Sequence, residues 1–157
     1  DLGCGQGIIT SYLANKKNRQ VLGIDSNVKR LKKNKQKNLT FKKGDIVKIN
    51  LPKADAVVIS DVLHHIKTQN QKYLIKKISK SIKKNGTLVI KEIDRQELIR
   101  STLSRFWDYI LYPKDQIYYW KAADLKDFLE KNNFKVKVER HCRLFPGSTT
   151  LFICKKF

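Results

Sequence analysis

The sequence predicts an α/β fold: a Rossmann-like, doubly wound and mostly parallel sheet with helices on both faces. Apolar runs typical of buried strands alternate with amphipathic runs typical of helices, an order that produces parallel sheets. A glycine-rich turn opens the chain and leads directly into an apolar helix start. Two late strands are separated by a short loop and should therefore pair antiparallel. We expect seven strands in the complete sheet, the last of them antiparallel.

The first half of the chain is predicted to hold three helices and three strands. The apolar spacing and the available caps predict helices over 8–18, 27–36 and 69–83. The third helix carries an apolar stripe of Tyr73, Leu74, Ile75, Ile78 and Ile82. Short apolar runs predict strands over 20–25, 39–44 and 54–60, and the last of these, ADAVVIS, is typical of a central parallel strand.

The second half begins where Asn85-Gly86 should end the third helix. A strand over 87–93 follows, and then an aromatic-rich segment over 95–119 that starts as a helix and is broken by Pro113. Asn132-Asn133 can supply a left-handed stop for a helix over 122–131. The last strands, 134–141 and 149–155, flank a turn at Pro146-Gly147.

The chain begins at the end of a predicted strand. A glycine-rich turn of this kind follows a buried apolar strand, yet the acid that closes that strand is Asp1. We therefore expect a single domain over residues 1–157 that lacks most of its first strand. That strand should lie in the middle of the sheet, between the strands that end at Asp25 and Ser60.

The charge balance is strongly basic, with 34 Lys and Arg residues against 14 acidic ones and a net charge of +20. Such a charge attracts phosphate backbones or anionic lipid. Most of the basic residues are Lys spread along the chain, whereas specific nucleic-acid readers rely on Arg and aromatic stacking. We expect solvated lysine faces, with nucleic acid as an open alternative partner. No apolar run approaches the ~18 residues of a membrane span.

The three cysteines, Cys4, Cys142 and Cys154, are isolated from one another. Without a C-x-x-C pair or a His/Cys cluster, the sequence predicts neither a disulfide framework nor a metal site. A reducing cytoplasm is the expected location.

The most specific motif is Asp1-Leu2-Gly3-Cys4-Gly5-Gln6-Gly7. Alternate glycines let the backbone turn tightly and expose main-chain N–H groups to a nucleotide-like ligand. The spacing is not the dinucleotide fingerprint G-x-G-x-x-G, because Ile8 follows Gly7. The pattern D-x-G-x-G-x-G resembles motif I of the class I S-adenosylmethionine-dependent methyltransferases. The resemblance implies that Asp1, Gly3, Gly5 and Gly7 bind S-adenosylmethionine, and that an N-terminal lid is lacking here.

Two acids at later strand ends extend the expected cofactor site. Asp25, with Ser26 beside it, stands where an acid accepts hydrogen bonds from ribose hydroxyls in this architecture. Asp45 follows the next strand, and the resemblance implies that it receives the adenine amino group while Ile46 packs on the ring. Capping of a helix or turn is the alternative role for either acid.

Residues 60–66, SDVLHHI, leave the central strand where open α/β sheets bind ligands. The segment resembles that of small-molecule methyltransferases such as those of quinone biosynthesis, which assigns Ser60 and Asp61 to the cofactor. It does not resemble the N-P-P-[YF] of enzymes that methylate base or glutamine amino groups. His64 and His65 are candidate general bases. The alternative is that one faces solvent while the other packs against the adenosine or caps a helix.

Glu92 and Asp94 lie on one side of their strand, and both should reach the ligand crevice. Glu92 is the third candidate base, with orientation of loop backbone as the alternative role. The aromatic residues over 106–120 would roof an acceptor site or pack as ordinary core. The resemblance implies methyl transfer from S-adenosylmethionine to the oxygen of a small or medium, possibly lipid-like, acceptor. An RNA methyltransferase and a cofactor-binding protein without turnover stay open as alternatives.

Overall fold

The computed structural model describes residues 1–27, 36–94, 117–141 and 149–157. The helices of these residues are α1 (Ile8–Ala14), α2 (Thr68–Ser81) and α3 (Ala122–Glu130). The strands are β1 (Val21–Asp25), β2 (Leu39–Lys43), β3 (Ala54–Ser60), β4 (Ile82–Ile93), β5 (Phe134–His141) and β6 (Thr149–Lys156). Most of the predicted basic helix over 27–36, the aromatic residues before 117 and the turn at Pro146-Gly147 lie outside the described residues.

The strands form one mixed sheet in the order β2-β1-β3-β4-β6-β5, with Leu2 between β1 and β3. The pairs β1–β2 and β3–β4 are parallel, and β6 pairs antiparallel with both β4 and β5. Leu2 bridges Ile24 and Ile59 in parallel register, and its N–H donates to the carbonyl of Val58 at 2.9 Å. The predicted central place of the first strand is thus confirmed, as is the late antiparallel pair.

Helices cover both faces of this sheet. On one face, the buried side chains of β3 and β4 pack with α2 and α3 in one hydrophobic core, which includes Ile59, Leu88, Ile90, Leu74, Ile78, Leu125 and Leu129. Ile24 belongs to this core, so its neighbour Gly23 faces the other way. A Cβ built on Gly23 would lie 2.9 Å from Thr10 of α1, which places α1 on the opposite face. The α/β prediction is confirmed.

Helix α1 ends at Ala14 instead of the predicted residue 18. The side-chain amide of Asn38, just before β2, donates to the carbonyls of Ala14 at 2.8 Å and Arg19 at 2.9 Å. The bond to Ala14 satisfies a carbonyl group that a longer helix would have paired internally, and the bond to Arg19 holds the chain that follows. The chain therefore leaves the helix early and turns into β1.

The junction of α2 and β4 also differs from the prediction. The helix ends at Ser81, and Ile82 already pairs with Ala54 of β3, so β4 begins five residues earlier than the predicted 87. Tyr73, predicted in the apolar stripe, is instead 57% exposed, because it lies about 100° around the helix from Leu74. The left-handed stop of α3 is confirmed at Asn133, with a φ of 65°. None of the described helices is long and apolar enough to cross a membrane.

Gly23→Ala should lower the free energy of unfolding by about 1–3 kcal/mol, the usual cost of overpacking. The new Cβ would lie 2.7 Å from Cδ1 of Phe41 and 2.9 Å from Cγ2 of Thr10. Urea unfolding measures the change, and the double variant Gly23→Ala/Phe41→Leu should recover part of it. Equal stability of Gly23→Ala and the parent would contradict this packing of α1 on β1.

Candidate cofactor and acceptor site

The glycine turn lies at the carboxyl ends of the central strands. Gly3, Gly5 and Gly7 have φ values of 72°, 52° and 76°, a region that side chains disfavour. A Cβ at Gly3 would lie 2.5 Å from Val62, and one at Gly7 would lie 2.5 Å from Phe41, so packing also requires these two glycines. A Cβ at Gly5 would meet no described atom within 4 Å. The space beside Gly5 is therefore open to a ligand that approaches the backbone.

Asp1 holds the turn against the first helix. Its Oδ2 accepts a 2.5 Å hydrogen bond from Oγ1 of Thr10, a fully buried residue of α1. Its carbonyl accepts the N–H of Ile24 at 2.9 Å, which ties the same residue to β1. Asp1 thus ties the start of the glycine turn to both α1 and β1, beside the expected cofactor.

Asp25, at the end of β1, is bonded directly to the glycine turn. Its Oδ2 accepts the N–H of Gly5 at 2.8 Å, and its Oδ1 accepts the N–H of Asn27 at 2.7 Å. An ionised carboxylate offers roughly four acceptor positions, so about two remain for ligand hydroxyls. The predicted ribose acceptor and the predicted ligand loop are therefore brought together, with Ser26 next to them.

Asp45 and Ile46 form the start of a single helical turn over residues 45–49, after β2. Oδ1 of Asp45 accepts the N–H of Val47 at 2.8 Å, and the carbonyl of Asp45 accepts the N–H of Ile49 at 2.8 Å. The Asp45 side chain is about half exposed, which leaves its carboxylate accessible to an adenine ring. Ile46 is 7% exposed and packs in the core, so it offers little surface to a ring.

Ser60 and Asp61 end β3 next to an ion pair. Oδ2 of Asp61 accepts from Nζ of Lys91 at 2.6 Å and from Oγ of Ser60 at 3.0 Å. Asp61 has a φ of 56°, uncommon outside glycine, and its side chain is 45% exposed. This pair places a carboxylate at the carboxyl edge of the sheet, where the cofactor is expected.

Glu92 is buried and holds the segment that follows Asp61. Its Oε1 accepts the N–H groups of Val62 at 3.0 Å and Leu63 at 2.7 Å, and its Oε2 lies 2.7 Å from Nδ1 of His64. Because Val62 in turn packs on Gly3, this carboxylate connects the 3-10 turn Leu63–His65 to the glycine turn. Glu92 therefore orients backbone and contacts an imidazole at the same time.

The two histidines have different surroundings. His64 is 7% exposed, and its ring stacks on Tyr119 with centroids 5.4 Å apart. His65 is exposed, with its ring centroid 4.2 Å from that of His64. Of the predicted candidates, His64 and Glu92 lie together, whereas His65 lies at the surface beside them.

A cavity adjoins His64 and Glu92. Its walls include Tyr118, Tyr119, Trp120, Phe152 and Asp94. Asp94 is 2% exposed and its Oδ1 accepts the N–H of Ala122 at 3.2 Å, so it also fixes the start of α3. Glu92 and Asp94 thus reach the same cavity, as their alternation predicted.

Gln71 is a site residue that the sequence analysis missed. It is fully buried on α2, and its Nε2 donates to the carbonyls of Leu63 and Ile66, both at 2.7 Å. The same nitrogen lies 2.9 Å from the carbonyl of Tyr118, and Oε1 accepts from Nε1 of Trp120. The sequence did contain a signal for its burial. Gln71 stands three, four and seven residues before Leu74, Ile75 and Ile78, and that helical spacing puts it on the buried stripe.

Cys4, inside the glycine turn, is not a reactive thiol. Burial, and after it the carboxylate of Asp25, raises the pKa of Cys4 above its ordinary value. The thiolate, which is the nucleophilic form, is therefore disfavoured at neutral pH. Across the described residues, no three His, Cys, Asp or Glu side chains are grouped to hold a metal ion.

These features define a Rossmann-like domain that binds a nucleotide-type cofactor. The glycine turn, Asp25 and Asp45, which the sequence predicts for the cofactor, include an open space beside Gly5 and a half-exposed Asp45 carboxylate. The sequence profile of the family described as Methyltransferase domain matches residues 1–139, and the chain belongs to that family.

Known relatives agree with this assignment. The (S)-coclaurine N-methyltransferase of Thalictrum flavum subsp. glaucum is 30% identical in an alignment 102 residues long, gaps included, and the alignment covers 59% of this chain and 28% of that protein. The chain therefore spans less than a third of that curated relative's length.

Two solved structures share the fold. The magnesium protoporphyrin IX methyltransferase of Synechocystis PCC 6803, with bound SAH, has a TM-score of 0.76 at 23% identity, and the match covers 100% of this chain and 73% of that one. Human N-acetylserotonin methyltransferase in complex with SAM has a TM-score of 0.75 at 18% identity, over 99% of this chain and 46% of that one. The expected cofactor, S-adenosylmethionine, is thus supported by family and by fold.

Asp25→Ala should weaken binding of S-adenosylhomocysteine by about 1–3 kcal/mol, because the variant loses hydrogen bonds to a charged acceptor. Isothermal titration calorimetry measures the affinity. Asp55→Ala is the matched control, since Asp55 is a strand acid whose side chain is 86% exposed and pairs with Lys83. An unchanged affinity in Asp25→Ala would move the ribose contact elsewhere.

Proposed function

We propose that the protein transfers a methyl group from S-adenosylmethionine to a hydroxyl oxygen of a small or medium, partly apolar acceptor. The observation that carries this proposal is the His64–Glu92 pair, with 2.7 Å between Nδ1 and Oε2, beside an aromatic-walled cavity. The pair adjoins the glycine turn through Val62 and Gly3. A base and a cofactor loop therefore share one edge of the sheet.

The cofactor, when bound, supplies a methyl group on an electrophilic sulfonium. The task of the protein is then to align the acceptor with that methyl group and to exclude water. The 3-10 turn Leu63–His65 is well suited to this task, because Glu92 and Gln71 hold its backbone from two sides. A rigid turn keeps the side chains that would contact the acceptor at a constant distance from the glycine turn.

His64 would take the proton of the acceptor hydroxyl. In the proposed tautomer Nδ1 of His64 donates to Oε2 of Glu92, and Nε2 is the basic nitrogen. Glu92 then stabilises the imidazolium that forms when Nε2 takes the proton. In this arrangement a carboxylate orients the imidazole, and the imidazole acts as the base that activates the hydroxyl nucleophile.

The residues around the cavity would present apolar and aromatic surface to an acceptor bound beside them. Tyr118, Tyr119, Trp120 and Phe152 are among the lining residues, and Glu92 and Asp94 add two carboxylates. The relatives named above differ in acceptor, and the curated one is an N-methyltransferase by name. Oxygen is proposed here because an amine can attack as its neutral form and has less need of the His64–Glu92 base.

Two further aspects of the proposal rest on composition. The net charge of +20 is the observation that favours RNA as a second acceptor class, but lysine predominates over arginine among these charges.

The described cysteines, Cys4 and Cys154, are buried free thiols, which supports a reducing compartment such as the cytoplasm.

The direct test is a methyl-transfer assay with S-adenosylmethionine and a panel of phenols, aliphatic alcohols, amines and RNA. Release of S-adenosylhomocysteine with phenols or alcohols is the expected result. Turnover of amines or RNA alone would overturn the proposed acceptor. Tight cofactor binding without turnover of any class would show a binding protein, and binding of a nicotinamide dinucleotide instead would contradict the whole assignment.

His64→Gln should lower kcat by about 10²–10⁴-fold, the usual contribution of a general base, and leave the affinity for S-adenosylhomocysteine unchanged. His65→Gln is the matched control on the next residue, and its exposed position predicts a small effect. Initial rates at saturating cofactor and calorimetric affinities provide the two readouts. Equal activity of His64→Gln and His65→Gln would exclude His64 as the base.

A further inference from the structure

We propose that Lys77 of α2 is a positioning residue of the cofactor site, which holds the 45–49 turn so that Asp45 presents its carboxylate to adenine. The inference rests on the proposed binding of S-adenosylmethionine and deepens it. It assigns a role in base recognition to a helix that lies outside the glycine turn and the strand ends. Nothing in the sequence pattern marked this lysine among the many others.

Lys77 closes the 45–49 turn through its ammonium group. Its Nζ donates to three carbonyls, those of Ile46 at 2.9 Å, Val47 at 2.6 Å and Ile49 at 2.8 Å. The carbonyl of Asp45 is already used by the N–H groups of Lys48 and Ile49. Lys77 therefore donates hydrogen bonds to carbonyls that a single helical turn leaves without an internal partner.

The match between donors and acceptors is complete. An ammonium group carries three N–H donors and no acceptor, and three carbonyls receive them. Lys77 is thus used within the protein and has no donor left for a substrate. Its neighbour on the helix, Lys76, is exposed, as most of the lysines are.

The charge of Lys77 is part of this arrangement. Burial lowers the pKa of its ammonium group, while the nearby carboxylate of Asp45 acts to raise it. The ring of Tyr73 lies 5.7 Å from Nζ and adds a favourable contact with the cation. A cation that donates to three carbonyls fixes the turn by charge-assisted bonds, which are stronger than neutral ones.

The consequence for the ligand concerns one chemical group. Asp45 is bound within the turn only by Oδ1, which accepts from Val47, and by an exposed 3.8 Å contact of Oδ2 with Lys48. The direction of its carboxylate therefore depends on the backbone of residues 45–49. If that backbone shifts, the hydrogen bond to the 6-amino group of adenine weakens, whereas the ribose contacts at Asp25 persist.

The test compares two ligands by calorimetry: S-adenosylhomocysteine and its analogue with unsubstituted purine, which lacks the 6-amino group. The proteins are the parent, Lys77→Met, Lys77→Arg, the exposed control Lys76→Met and Asp45→Ala. We expect the parent to prefer the adenine ligand by tenfold or more. Lys77→Met should reduce this preference to threefold or less, like Asp45→Ala, while Lys76→Met retains it and Lys77→Arg restores part of it.

A structural brace without a role in recognition would lower the melting temperature of Lys77→Met but leave the preference unchanged, and this result would overturn the inference. Equal affinity of the parent for both ligands would overturn it as well. Should Lys77→Met fail to fold, Lys77→Gln, which keeps two N–H donors without the charge, carries the same comparison. Failure of the parent to bind either ligand would instead overturn the proposed function.

Discussion

The structure depends on the point where Leu2 lies between β1 and β3. Its N–H donates to the carbonyl of Val58, and its neighbours Asp1 and Gly3 bond to Ile24, so the end of one strand is fixed between two others and the chain must leave the sheet at Gly3 through a narrow gap. Val62 fills that gap on one side, which excludes a side chain at Gly3. The tight turn that results exposes the backbone beside Gly5. Because parallel strands end at the same edge, the acids and histidines that follow β1, β2 and β3 lie along one edge of the sheet.

Polar side chains of β4 and α2 hold these loops in place. Glu92 holds the turn that follows β3, Gln71 holds both that turn and the residues near Tyr118, and Lys77 holds the turn that follows β2. Glu92 and Gln71 satisfy buried backbone groups of Leu63, and each such group would cost about 1–3 kcal/mol if left unpaired. Two of the three belong to α2, so one helix braces the predicted acceptor side and the predicted adenine side of the site.

The sequence was sufficient where a local pattern has one structural solution. Alternate glycines after an acid permit a tight turn with positive φ, and the order of apolar runs predicted the parallel sheet. It was insufficient where distant groups decide. Asn38 shortens α1 from 24 residues away, and nothing near Lys77 in sequence distinguishes it from exposed lysines. For Glu92 the sequence left catalysis and backbone orientation as equal alternatives, and the structure shows contacts that suit both.

The central claim is that the glycine turn, Asp25 and the His64–Glu92 pair serve one cofactor and one acceptor. A crystal structure with S-adenosylhomocysteine tests it most directly. The account predicts the ligand backbone beside Gly5, both ribose hydroxyls within hydrogen-bond distance of Asp25, and the sulfur directed towards the cavity that His64 and Glu92 line. A ligand bound at another edge of the sheet, or one whose sulfur is directed away from His64, would contradict it.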